Sequence, residues 1–241
     1  MNIKILQQNI CKNNKQVDEM MDALLEKEPQ ILLFSEFCYS KHEKNIVNRL
    51  KENNYQIIMP IKYCASCDKD KLCVCMMAIK NGITFVPNNR KEISLNLRYI
   101  EGKINFGNNK SVEILYVHAP QTWIGSKSPF SKKEVEYYQD RVEEKAEILF
   151  ASYCFWNEKK DRNVFIGGDF NTEIDGGNTR GENIFKSLYY DTYDTDIHKP
   201  TWKGKCYDYA LVSESIKICG CKTSRLKTTS DHIALLTEIE I

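Results

Sequence analysis

The chain predicts an α+β fold in which two β-sheets pack face to face with helices outside. Strand-like apolar segments occur in both halves of its 241 residues. Helix-like segments are too few to cover a doubly wound parallel sheet. From Cys73 to Tyr116, strand patterns separated by Asn-Gly, Pro-Asn-Asn and Gly-Asn-Asn turns read as antiparallel pairing.

Ile3–Ile10 reads as a strand. Lys15–Lys27 reads as a helix, because Val17, Met20, Met21, Leu24 and Leu25 recur at helical spacing. Glu28-Pro29 stops it, and Gln30–Phe37 is a buried strand ending at Glu36. A second helix is predicted over His42–Glu52 and a strand over Tyr55–Met59, before the strand-rich stretch that opens with Cys73–Lys80. Ser131 is in position to cap a long helix to Phe155, with Glu134 at the capping-box position. A strand at Asn163–Gly167, a polar loop to Asn183 and a short helix follow. The last strands are Tyr207–Ser213, Ile216–Cys219 and Ile233–Ile241. No repeat or low-complexity linker divides the chain, so a single domain over residues 1–241 is expected.

Thirty-four basic residues against thirty-three acidic ones argue mildly against tight, non-specific polyanion binding, although a local basic rim suffices for turnover. No apolar run is long enough to span a bilayer. Met1-Asn-Ile-Lys-Ile-Leu enters a strand pattern without the regions of a signal peptide, so a cytoplasmic location and no membrane partner are expected. The ten cysteines then read as reduced thiols. Cys64 and Cys67 have zinc-ligand spacing, but Cys73 and Cys75 are too close for an ordinary knuckle and open a strand. Free thiols are the preferred reading, with zinc at Cys64, Cys67, Cys73 and Cys75 as the alternative.

Apolar strands deliver polar residues at their ends in five segments: Ile5-Leu-Gln-Gln-Asn9, Leu32-Leu-Phe-Ser-Glu36, Ile114-Leu-Tyr-Val-His-Ala-Pro120, Asn163-Val-Phe-Ile-Gly-Gly-Asp-Phe-Asn171 and Thr229-Ser-Asp-His232. A sixth, Tyr207-Asp-Tyr-Ala-Leu-Val-Ser213, puts Asp208 at the start of a strand. Asp169 and Asn171, two residues apart, are expected on the same side of an extended chain. Each polar residue alone has a bland explanation as a cap, rim or loop residue. Their co-occurrence points to one site.

In this order Gly168-Asp-Phe-Asn171, Tyr207-Asp-Tyr-Ala-Leu-Val-Ser213 and Ser230-Asp-His232, with Asn9, Glu36 and His118, resemble the endonuclease/exonuclease/phosphatase superfamily, the DNase I-like fold. The resemblance covers nearly the whole chain and implies a four-layer α/β/β/α sandwich of two mixed sheets. It implies a phosphoester hydrolase using Mg²⁺ or Mn²⁺, with Glu36 as principal metal ligand helped by Asn9 and Asp231. It makes His232 the general base, or the group stabilising the scissile phosphate, with Asp208 orienting its ring. Asp169 and Asn171 position water and phosphate oxygens.

Cys11 stands where exonuclease III-type relatives carry Asp. His118 replaces a Tyr-rich segment, which is similar to the DNase I, sphingomyelinase and inositol-phosphatase branches and argues against abasic-site repair. There His118 is a second acid/base or phosphate-binding group. Arg98 lies where relatives often place a phosphate-binding arginine. Trp123 and Trp202 are candidates to flank the substrate, and Lys127, Lys132, Lys133 and Arg180 to contact phosphates. A monomeric nuclease is the first reading. A phosphatase or phosphodiesterase acting on an inositol phosphate, nucleotide or phospholipid headgroup is the alternative. A non-catalytic module predicts gaps in the residue set, and there are none.

Overall fold

The computed structural model describes residues 1–38, 42–59, 73–88, 97–122, 132–176, 179–196 and 199–241. Ser131 and the zinc candidates Cys64 and Cys67 lie outside these residues, as do Trp123 and Lys127. One sheet contains β1 (Asn2–Asn9), β2 (Ile31–Phe37), β3 (Tyr55–Ile58), β4 (Val74–Lys80), β11 (Cys221–Leu226) and β12 (Ala234–Glu240), in the order β11-β12-β1-β2-β4-β3. The other contains β5 (Thr84–Pro87), β6 (Tyr99–Asn105), β7 (Ser111–His118), β8 (Val164–Asp169), β9 (Tyr193–Asp194) and β10 (Asp208–Val212), in the order β5-β6-β7-β8-β10-β9. Both sheets are mixed, as the family resemblance implies. Each has a parallel pair at its centre, β1 with β2 and β7 with β8, flanked by antiparallel neighbours.

Strand alternation explains the layering. Ile3, Ile5, Ile31, Leu33, Met77, Ile114, Tyr116 and Phe165 meet between the sheets. On the outer face of the first sheet, Leu6, Leu32 and Phe34 pack on Val17, Met20, Met21 and Leu24 of α1 (Val17–Leu25). Ile46, Val47 and Leu50 join them from a π-helical turn at Glu43–Asn48 that runs into α2 (Arg49–Glu52). On the outer face of the second sheet, Leu115, Val117 and Ile166 pack on Ile148, Leu149 and Phe155 of α3 (Lys132–Lys159) and on Phe185 and Leu188 of α4 (Arg180–Asp191). The result is helix, sheet, sheet, helix.

Three local expectations change. Ile216–Cys219 is not a strand but part of a short helix, α5 (Glu214–Cys219), ended at Gly220 with φ of 135°; the strand is β11, just after it. The Asn81-Gly82 turn does not close a hairpin. β4 pairs with β2 and β3, while β5 pairs with β6, so this turn carries the chain between sheets. The polar loop ends earlier than Asn183, because Thr179 caps α4. Its hydroxyl accepts from the Glu182 N–H at 3.3 Å, and Glu182 accepts from the Thr179 N–H at 2.8 Å.

Cys75 is fully buried in the inter-sheet core, where burial raises its thiol pKa, so it behaves as a small apolar residue. No helix among the described residues is long and apolar enough to cross a membrane.

Candidate active site

The two central parallel pairs run the same way into one cleft of about 720 Å³. Asn9, His118 and Asp169 are the last residues of β1, β7 and β8, and Glu36 is the next to last of β2. This is why apolar strands with polar ends stand out in the sequence. Asp208 opens β10 directly opposite Asp169 in the antiparallel register, and His232 precedes β12.

Local backbone aims the side chains. The register of β2 against β4 shifts between Phe34 and Phe37, and Glu36 in that bulge has φ of 57°. Such strain in a non-glycine residue persists where its neighbours hold it. Here the Lys12 N–H donates to Glu36 Oε2 at 3.0 Å. The two glycines before Asp169 are both crowded, Gly167 by side-chain ends and Gly168 by backbone that cannot yield. A Cβ on Gly167 would lie 2.2 Å from Gln7 Oε1, and one on Gly168, whose φ is 136°, would lie 1.9 Å from the Val117 carbonyl oxygen. Asn171 does not continue an extended chain. Its φ of 47° turns the backbone so that its N–H donates to Asp169 Oδ1 at 2.9 Å, while Nδ2 donates to the Ala119 carbonyl at 2.9 Å.

Asn9 ties the carboxylates together. Nδ2 donates to Asp169 Oδ2 at 3.0 Å and approaches Glu36 Oε1 at 3.4 Å, while Oδ1 accepts from the Cys11 N–H at 3.0 Å. The Cys11 N–H fixes this orientation, since a reversed amide would place two donors together.

His232 Nδ1 lies 2.8 Å from Asp208 Oδ2. Burial lowers the His232 pKa, but Asp208, and then Asp169 and Asp231, outweigh it and raise it to about 9. Asp169 is 1% exposed, and burial, followed by repulsion from Asp208, pushes its pKa up to about 7. One donor atom each from Asp169, Asp208 and His232 lies within 4.8 Å of the others.

His118 moves the opposite way. Burial and then the Arg98 charge hold its pKa well below the ordinary histidine value. Arg98 Nη1 is 3.0 Å from His118 Nδ1. A guanidinium can only donate, so Nδ1 is the acceptor and Nε2 carries the hydrogen. Nε2 faces Glu36 Oε1 at 3.9 Å and Asp169 Oδ2 at 4.0 Å. Arg98 in turn is held by Glu144 Oε1 at 3.2 Å from its Nε.

Asp231 faces the same cleft, where its Oδ2 accepts from Trp202 Nε1 at 2.8 Å. The Trp202 ring stacks against His232 at 6.0 Å between centroids and against Tyr207 at 5.8 Å. The structure thus brings Asn9, Glu36, Arg98, His118, Asp169, Asn171, Asp208, Asp231 and His232 to one place. Arg180 is exposed and is not among the residues lining the cleft.

One wall of the cleft carries no strand-end signal in the sequence. Tyr137, Tyr138, Arg141 and Glu144 of α3 line the cleft, and buried Lys145 donates to the Asn171 carbonyl at 2.6 Å. Burial lowers the Lys145 pKa to about 8. These positions recur three and four residues apart, which marks one helix face.

The described structure is similar across its length to several solved proteins. An AP endonuclease from Archaeoglobus fulgidus is 14% identical, with 99% of this chain and 100% of that chain covered at a TM-score of 0.65. D. rerio TDP2 complexed with a single-strand DNA product is 11% identical, with 100% and 99% covered at 0.65. The human Nocturnin catalytic domain with bound sulfate is 16% identical, with 99% and 94% covered at 0.64. At these identities the likeness shows the fold. No curated protein matches the chain by sequence. The sequence profile of the Endonuclease/Exonuclease/phosphatase family, however, matches residues 6–232, from β1 to His232 itself. The chain belongs to the endonuclease/exonuclease/phosphatase family.

Proposed function

We propose that the chain is a divalent-metal-dependent phosphodiesterase that cleaves nucleic acid. The observation that carries this reading is the convergence of Glu36, His118, Asp169 and the Asp208–His232 pair on one cleft. Solved proteins of the same fold include an AP endonuclease and the endonuclease domain of TRAS1.

Glu36 and Asp231 offer hard carboxylate oxygens to the cleft, the donor type that suits Mg²⁺ or Mn²⁺. When bound, such an ion supplies charge neutralisation at the phosphate and a more acidic water. Asn9 clamps Glu36 and Asp169 through Nδ2, while Oδ1, which accepts the Cys11 N–H, keeps a second lone pair to help Glu36 and Asp231 hold the ion.

The proton balance divides the remaining work. Asp169 has a raised affinity for a proton and is ionised enough near neutrality to take one from water, which makes it the general base. His232 is the imidazolium held by Asp208 and donates to a phosphate oxygen. His118, neutral with hydrogen on Nε2, is a second donor, and Arg98 positions it instead of contacting phosphate. Asn171 holds the Asp169 carboxylate through its N–H.

The test is a panel of single- and double-stranded DNA, RNA and small phosphoesters incubated with Mg²⁺ or Mn²⁺. His232→Ala and Asp169→Asn should each lower cleavage by about 10²- to 10⁴-fold while the fold persists. Near wild-type turnover by either variant rejects the assignment.

The near-zero net charge favours a small phosphorylated substrate as the second reading. Salt separates the two, because binding to nucleic acid should weaken steeply with ionic strength and a small substrate should show a shallow slope.

A further inference from the structure

The α3 wall of the cleft carries a cation that the site, as described so far, does not use. Arg98 is neutralised by Glu144 and spent on His118. Arg141, one helical turn before Glu144, also lines the cleft, but among the described residues it has no carboxylate partner. Among the described residues its Nη1 bonds only the Tyr137 hydroxyl, and its Nε is buried with no hydrogen-bond partner. A guanidinium stays charged and presents five N–H donors in a planar fork, so a buried, unmet Nε–H is costly unless an anion arrives. The Arg141 charge is felt inside the site, as one of the influences that keep His118 neutral.

The surroundings indicate what kind of anion fits. Glu36, Asp169 and Asp231 make the floor acidic, which repels a bare anion there and suits a cation-bound scissile phosphate. Arg141 gives the wall the opposite sign. Its guanidinium lies 5.3 Å from the centroid of Tyr137, which is 60% exposed, and half-buried Tyr138 lines the same wall. An arginine fork beside an exposed tyrosine is a pairing that holds a nucleic-acid strand by its phosphate.

We propose that Arg141, flanked by Tyr137 and Tyr138, is a subsite for a second, non-scissile phosphate on the same substrate molecule. This rests on the phosphodiesterase reading and deepens it. The subsite makes the enzyme prefer substrates with a phosphate next to the one it cleaves, whether an adjacent linkage or a terminal monoester.

Three probes test it: a dinucleotide with a single phosphodiester, the same dinucleotide with a terminal phosphate, and a trinucleotide. The readout is the ratio of kcat/KM for each longer probe to that for the plain dinucleotide. Arg141→Gln should reduce at least one ratio by about 10- to 100-fold, the worth of a charged hydrogen bond or two, and Arg141→Lys should recover part of it. Loss confined to the terminally phosphorylated probe assigns the anion to a strand end. Loss with the trinucleotide assigns it to a neighbouring linkage. Ratios unchanged in Arg141→Gln overturn the subsite, whether absolute rates hold or fall together. Equilibrium binding of the same probes in EDTA, to wild type and Arg141→Gln, decides the subsite even if wild type cleaves none of them. That failure would count against the phosphodiesterase reading alone.

Discussion

His232 is held by Asp208 as a cation in a place where burial alone would strip its charge, and this ties the pair to folding. A histidine whose pKa is raised from 6.5 to about 9 binds its proton more tightly in the folded than in the unfolded chain. The stability it lends is fully present below about pH 6.5 and lost as pH rises through about 9, on the order of 3 kcal/mol. Lys145, whose pKa is lowered by burial, works the opposite way above about pH 8, so the readout is a difference. From pH 6 to pH 9.5, urea unfolding of the metal-free protein should lose more stability in wild type than in His232→Gln. An equal pH slope in the variant refutes the linkage. Of the site's residues, those at strand ends were legible in the sequence, because alternation makes a polar terminus on an apolar strand stand out. His118 and His232 could be distinguished from His42 by such context. The His42 ring accepts the Cys38 N–H at 2.9 Å and lies 5.7 Å from the Phe37 ring, at a helix start. What could not be read were the opposed charge states of His118 and His232, since these depend on Arg98 and Asp208 arriving from distant strands.

At the scale of elements, legibility followed the strength of the local signal. β1, α1 and β2 appear nearly as predicted because their apolar spacing is unambiguous. α5 was misread because Ile216 and Ile218 alternate like a strand, yet only Ile216 is buried and Ile218 is 76% exposed. The cleft wall on α3 was unreadable for a different reason. Polar residues on a long helix look like a solvated face until β7, α3 and β8 fold that face over the site. The start of α4 gives a clean test of local chemistry. Thr179→Ala removes one half of its capping box and should cost about 1 kcal/mol by urea unfolding. Gly168→Ala is a harsher change. Its Cβ would meet the Val117 carbonyl at 1.9 Å on a backbone with φ of 136°, which should cost more than about 2 kcal/mol and lower the melting temperature several degrees. A normal melting temperature for that variant means the β7–β8 approach is looser than described.

At the scale of the whole molecule, two sheets of like topology point the ends of their parallel pairs at one cleft, and this crowds acids. Glu36 and Asp169 share the Asn9 amide, and Asp208 raises the proton affinity of Asp169. Such crowding opposes folding until a cation balances it. A divalent ion that binds only the folded state at a hundred times its Kd should add about 2.7 kcal/mol. Thermal melting in EDTA and in Mg²⁺ or Mn²⁺ measures this. Two places compete for the ion: the Glu36 and Asp231 side of the cleft, or the Asp169, Asp208 and His232 group. Glu36→Gln separates them, because it removes one charge, keeps the acceptor for the Lys12 N–H and leaves the other group intact. If Glu36 holds the ion, the variant melts at the wild-type temperature or higher in EDTA, its repulsion relieved, and loses the metal-induced rise. A full rise retained in Glu36→Gln moves the ion to the Asp208–His232 side. Binding there would compete with the 2.8 Å hydrogen bond that keeps His232 cationic, and His232 could no longer serve as the phosphate donor.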